Sequence, residues 1–164
     1  MHFRIEQRFP GSLDDVEAAF CSPELLSRMS ELPKVGGAEL LSQRTDGDTV
    51  FQQIRYRFTG ELSSAVTAVV DPENLTWVED SAIDRATHVT TWKIVPDHYG
   101  SRLTCAGTFR LTGTSDDLTV RTTEAEIKVH FPLVGGRVER AIVSGLEEHA
   151  AGEEVVVAAF LRGE

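Results

Sequence analysis

The sequence predicts an α+β fold in which a curved, mainly antiparallel sheet of seven strands wraps around one long C-terminal helix. Three observations carry this expectation. From Val134 to Leu161 the chain reads as one helix, with Val138, Ala141, Ile142, Val156, Ala159 and Phe160 in one stripe and Glu139, Arg140, Glu147 and Glu154 opposite. Between Ala38 and Phe131 the hydrophobic period is mostly two, broken by short polar turns. A sheet with one apolar face must cover it, and only the last helix is long enough to do so. The whole chain, 1–164, suits one domain.

In order, His2 to Phe9 alternates, with Phe3, Ile5 and Phe9 on one face and Arg4, Glu6 and Arg8 on the other, as in a half-buried strand. Pro10-Gly11 ends it. Ser12 is an N-cap candidate for a short helix carrying Leu13, Val16, Ala19 and Phe20, with Asp15 in its first turn to meet the helix dipole. Ser22-Pro23-Glu24 opens a second helix bearing Leu25, Leu26 and Met29, closed by Pro33 and Gly36-Gly37. Strands Ala38 to Thr45 and Thr49 to Phe58 then flank Asp46-Gly47-Asp48, a hairpin signal. The second puts Val50, Gln52, Ile54, Tyr56 and Phe58 on one face and sends Arg55 and Arg57 to solvent. Leu62, Ala65, Val66, Val69 and Val70 recur at helical spacing, which predicts a short helix over Glu61 to Val70, stopped by Asp71-Pro72.

Four more strands follow, Leu75 to Ser81, Thr87 to Val95, Arg102 to Thr112 and Leu118 to Phe131. Their turns fall at Ile83-Asp84-Arg85, Asp97 to Gly100 and Gly113 to Asp116. In the last strand Ala125, Ile127, Val129 and Phe131 share the inner face, and the same parity puts Arg121 inside and Val120 outside. Either a bulge near Thr122-Thr123 restores Arg121 to solvent, which is the expectation here, or the arginine reaches into the interior.

Composition narrows the function. A net charge of -10 excludes bulk electrostatic attraction to nucleic acid or anionic membrane. No apolar run is long enough to span a bilayer, and the N-terminal residues lack a signal-peptide core, so a cytoplasmic location is expected. Cys21 and Cys105 are too few and too far apart for a disulfide framework or a Cys-x-x-Cys site, and read as reduced, mostly buried thiols. Phosphate loops, His-Glu-x-x-His and Gly-x-Ser-x-Gly are absent. Asp14, Asp15 and Glu17 read as first-turn helix charges, and no metal or cofactor is expected. Oligomeric state is not readable.

The order of elements resembles the helix-grip fold of the START-like superfamily (SRPBCC), which includes pollen-allergen-like proteins, lipid-transfer domains and polyketide cyclase/dehydrase-like proteins. More narrowly, His130-Phe131-Pro132-Leu133-Val134-Gly135-Gly136-Arg137-Val138-Glu139, with Ser12 to Phe20, resembles a bacterial domain family of unknown function within it. The Pro-Leu-Val-Gly-Gly-Arg junction is a structural joint, whose glycines let a strand turn into a helix, though free N–H groups there could also hold an anion. The resemblance implies a cavity between sheet and helix for an apolar or amphipathic small molecule. It also implies that the extra Glu61 to Val70 helix could act as a lid.

Candidate ligand-binding residues follow from that placement. In the middle of the helix stripe, between Ile142 and Val156, stand Gly145, His149 and Gly152 where bulk is expected, so the helix leaves room. His149 is the one candidate acid or base, able also to hydrogen-bond a carbonyl or hydroxyl, or to be a satisfied interior histidine. Glu153 orients it or is solvated. Trp77, Trp92 and Tyr56, with Gln52 and His88, would line the opposite wall or simply pack, and Arg121 is a carboxylate clamp if it points inward. The leading functional expectation is a carrier or sensor of a small hydrophobic molecule, lipid- or polyketide-like. The second is a cyclase/dehydratase-like enzyme with His149 as acid or base, assisted by Tyr56 or Arg121, and the third an interaction module with a collapsed cavity.

Overall fold

The computed structural model describes residues 1–164. Strand β1 (His2–Phe9) leads into α1 (Leu13–Phe20) and α2 (Pro23–Met29). Strands β2 (Val35–Asp46) and β3 (Thr49–Phe58) form a hairpin, followed by a single helical turn, α3 (Ser64–Thr67), and a 3-10 turn over Pro72–Asn74. Then come β4 (Thr76–Asp84), β5 (Val89–Pro96), β6 (Leu103–Ser115), β7 (Leu118–Val129) and α4 (Gly135–Leu161). The seven strands make one antiparallel sheet in the order β1-β7-β6-β5-β4-β3-β2, so only the β1–β7 pairing joins strands distant in sequence.

Local chemistry explains most boundaries. The Ser12 hydroxyl accepts from the Asp15 N–H and caps α1, while Pro23 opens α2 with a residue that needs no backbone donor. At the joint before α4, Leu133 has a φ of 68° and a Cβ on Gly135 would lie 2.3 Å from the Val129 carbonyl oxygen, so glycine is required there by close approach. Strand β2 starts at Val35, earlier than expected, because Gly36 and Gly37 sit inside it, beside a break in register between Gly36 and Glu39. Strand β4 runs on to Asp84, since Ile83 continues the buried alternation of Trp77 and Ser81, and the turn moves to Arg85–His88.

The helix expected over Glu61 to Val70 shrinks to one turn. Ser63 is extended, which prevents an earlier start, and Asp71, also extended ahead of Pro72, prevents a later end. Val66 and Val70 are buried while Val69 stays 52% exposed, so two side chains one turn apart hold the segment against the sheet.

The core falls into two clusters. One gathers Trp77, Trp92, Ile127, Val138 and Ile142 with the buried valines of α3 and its flank; the other gathers Phe9, Val16, Leu25, Ile54 and Val157 beneath α1 and α2. Tyr56 packs against both. No helix is long and apolar enough to cross a membrane.

Candidate functional site

A cavity of about 150 Å³ lies between the concave face of the sheet and α4, its wall drawing on both core clusters. Twenty of its thirty lining residues are hydrophobic, so a ligand there would meet mainly apolar surface. The two tryptophans are both in the wall: Trp92 stacks on Phe109 with ring centroids 5.2 Å apart, and Trp77 lies 6.3 Å from Tyr56. The Trp92 Nε1–H is buried without a hydrogen-bond partner.

Arg121 is the first correction. Strand β7 alternates without interruption from Thr119 to Val129, its only register break against β6 lying at Gly113–Ser115, so there is no bulge near Thr122 and the arginine faces inward at 8% exposure. What makes an interior guanidinium tolerable is pairing along its Nε–Nη2 edge. Its Nη2 donates to the Glu153 carboxylate, its Nε donates to Gln7 Oε1 at 2.8 Å, and the Gln7 amide donates to Glu153 at 2.9 Å and to the Ala150 carbonyl at 2.8 Å. The rings of Phe20, Phe109 and Phe9 surround the guanidinium, with centroids at 4.4, 5.0 and 5.5 Å. Burial is the largest influence on Glu153 and opposes its ionisation, yet Arg121, His149 and the Gln7 hydrogen bond together hold its carboxyl below the usual range. The Nε–Nη2 edge of Arg121 is therefore occupied, and a ligand carboxylate would have to displace Glu153 to bind there.

Helix α4 presents a slightly different face from the one expected. Its buried residues are Gly135, Val138, Ile142, Val143, Gly145, Ala150, Glu153 and Val157, so in the C-terminal half Glu153 and Val157 face inward where Gly152 and Val156 were expected. Steps of four drift around a helix of 3.6 residues per turn, and the apolar stripe drifts with them. Ile142, Leu146, His149, Ala150 and Glu153 line the cavity; Gly145, Gly152 and Val156 do not. The two glycines admit other neighbours instead: a Cβ on Gly145 would lie 2.6 Å from the Phe58 ring, and one on Gly152 would lie 2.9 Å from Leu32. They make space for packing, and the room they leave is filled.

His149 is in the wall, with Nδ1 buried and unpartnered. Burial pushes its pKa below the ordinary value, reinforced by Arg121 and opposed by Glu153 and a backbone hydrogen bond at Val35, which favours the neutral imidazole. Gln52, Tyr56, Trp77 and Trp92 also line the cavity. The Gln52 amide is engaged, donating to Gln43 at 2.8 Å and to the Phe20 carbonyl at 3.2 Å. His88 lies outside the wall: it sits in the β4–β5 turn with a φ of 58°, its Nδ1 3.2 Å from Glu17. Glu17 departs from the expected surface charge, being 2% exposed and paired with both His88 and Arg85 at the α1 end of the cavity. Cys105 is buried, with its thiol pushed up to about 12 by burial and then by Glu79, and Cys21 is partly buried; both are free.

Glu79 is the residue that sequence reasoning missed. It stands on β4 between inward-facing Trp77 and Ser81, so strand parity already assigns it to the cavity side. It keeps some accessible surface because it faces the void, and no cation comes within ion-pair distance. Burial raises its carboxyl from 4.5 to about 7, Glu153 adding to the rise and Arg121 opposing it. Burial also holds the Tyr56 phenol well above its usual range, with Glu79 the leading charged contributor. Gln7 was missed for the same reason, as a polar residue at the inward parity of β1.

Comparison with known proteins agrees with this architecture. Residues 4–161 match the family model described as "Protein of unknown function (DUF2505)". No curated protein matches the sequence. Among solved structures, the chain is similar to TTHA0849 from Thermus thermophilus (16% identity, 98% of this chain and 99% of that one, TM-score 0.69). It is similar also to the Zhui aromatase/cyclase from Streptomyces sp. R1128 (13% identity, 99% and 93%, TM-score 0.64). Truncated norcoclaurine synthase from Thalictrum flavum matches at 17% identity, 100% and 94% coverage and a TM-score of 0.64. At these identities the likeness is one of fold, START-like and helix-grip. With nearly its whole length matched by one family model, the chain belongs to the DUF2505 family, and its fold is START-like.

Proposed function

We propose that the protein binds a small hydrophobic or amphipathic molecule in the cavity between sheet and α4, as a carrier or sensor. The observation that supports this reading most is the cavity itself, about 150 Å³ of mainly apolar wall containing one carboxylate, Glu79, without an ion-pair partner. A core built only for stability gains from filling such a void and from pairing or removing such a group. The ligand-binding residues are then Tyr56, Trp77, Glu79, Trp92, Ile142 and His149, with Arg121, Gln7 and Glu153 as a fixed polar wall. Native mass spectrometry of the protein, stripped of bound lipid and exposed to a lipid and small-metabolite extract, tests the reading: a retained small molecule is expected, and failure to retain any would count against it.

A second reading, acid–base catalysis, is supported by Glu79 and less by His149. A carboxyl titrating near 7 beside a phenol can both donate and accept a proton at neutral pH, whereas His149 is held neutral. A catalyst of this kind should lose turnover in Glu79→Gln with the fold intact; unchanged turnover would reject Glu79 as the proton carrier.

A further inference from the structure

The charges lining the cavity do not balance, and the imbalance has a sign. Arg121 is paired with Glu153 and Gln7, and Glu17 is paired with Arg85 and His88. Glu79 has no cation of its own. When Glu79 is ionised, the central cavity therefore holds one uncompensated negative charge against a wall of Tyr56, Trp77 and Trp92. A buried charge without a partner is costly, and a ligand that supplies the opposite charge recovers that cost on binding. An anionic ligand would instead face both Glu79 and Glu153, with the one guanidinium already engaged.

We propose that Glu79 anchors a cation subsite, and that the ligand class is a small amine, one ammonium group on an apolar, ring-bearing body. This rests on the reading of the cavity as a ligand site. Size agrees with the class: a dry apolar cavity of about 150 Å³ is large enough to hold a benzene ring, and this cavity is of that volume. Chemistry agrees as well, since aromatic faces favour both a ligand ring and a neighbouring ammonium. The titratable and charged groups that line the cavity with Glu79 are Tyr56 of β3, Cys105 of β6, Arg121 of β7, His149 and Glu153 of α4, and Glu17 of α1, which is paired with Arg85 and His88. Cys105 and Tyr56 are held protonated and His149 neutral, so Glu79 is the member whose charge changes near neutral pH. Amine binding then draws Glu79 into its ionised form and releases a proton, and raising the pH through 7 strengthens it.

Three probes of nearly one shape and different charge separate the alternatives: benzylamine, benzyl alcohol and benzoate, each titrated into the intact protein by NMR at about pH 8.5 and about pH 5.5. At the higher pH benzylamine should bind about tenfold more tightly than benzyl alcohol, the scale of one charge-assisted hydrogen bond, and benzoate most weakly. At the lower pH that preference should shrink several-fold. In Glu79→Gln it should disappear, with benzylamine falling to the affinity of benzyl alcohol. Equal binding of the amine and the alcohol to the wild-type protein at the higher pH, or a preference surviving in Glu79→Gln, overturns the cation subsite while leaving the ligand cavity standing. Absence of binding by all three overturns both. The wild-type pH series decides the question even where Glu79→Gln fails to fold.

Discussion

Arg121 of β7 and Glu153 of α4 form a buried ion pair that ties the sheet to the helix across the cavity, and Gln7 of β1 hydrogen-bonds to both. The first strand is thereby fixed to the last strand and the C-terminal helix at one point. The arrangement also explains how a charged pair persists in a mostly apolar interior, because Gln7 donates to Glu153 and accepts from Arg121.

Removing only one partner should be severe. Arg121→Met leaves Glu153 buried without its cation and should destabilise the fold by about 3–5 kcal/mol in chemical denaturation. The double variant Arg121→Met/Glu153→Leu removes both charges and should recover much of that loss. A double variant no more stable than the single one would show that the pair acts as more than two mutually compensating charges.

Glu79→Gln should change the pH dependence of stability. The folded state holds the Glu79 proton up to about 7, whereas the unfolded chain releases it near 4.5, so across that window the folded state binds more protons. Stability from this group is therefore full below 4.5 and lost as pH rises through 7. Glutamine mimics the protonated form, and the variant should be more stable than wild type above neutrality, by on the order of 3 kcal/mol. Denaturation curves at a series of pH values check this; parallel wild-type and variant profiles would contradict it.

The two interior glycines of α4 should respond differently to alanine. Gly145→Ala drives a methyl to 2.6 Å from the Phe58 ring, with the Lys34 Cβ at 3.3 Å, and should cost about 1–3 kcal/mol. Gly152→Ala meets the far end of the flexible Leu32 side chain at 2.9 Å. There the gain of up to about 1 kcal/mol in helix propensity offsets the crowding, leaving a net change near zero. Thermal unfolding distinguishes the two.

The fold was legible because its signals are local. Strand alternation and the long helical stripe each need only neighbouring residues to be read, and they place the seven strands and α4 close to where they stand. The short segment after β3 was not legible, since Leu62, Val66 and Val70 suit a helix or a one-turn anchor equally, and the extended backbone at Ser63 and Asp71 decides. Parity in the sequence already placed Gln7, Glu79 and Arg121 inward. What the sequence hides is the partner: Arg121 meets Gln7 from 114 residues away and Glu153 from 32, and without those partners a bulge is the less costly explanation for an inward arginine. The glycines of α4 misled for a related reason, because an absent side chain signals space without telling whether Phe58, Leu32 or a ligand occupies it.

Ligand entry into the cavity should be visible directly in the protein's own fluorescence. The chain's two tryptophans, Trp77 and Trp92, both line the cavity, so any occupant changes the surroundings of one or both. Titration with small aromatic and aliphatic amphiphiles, followed by tryptophan emission, should give a saturable change for at least one class, abolished when Leu146 on the α4 wall is replaced by Phe to fill the space. A linear or absent response for every class, with Leu146→Phe indistinguishable from wild type, would contradict the assignment of this cavity as a binding site.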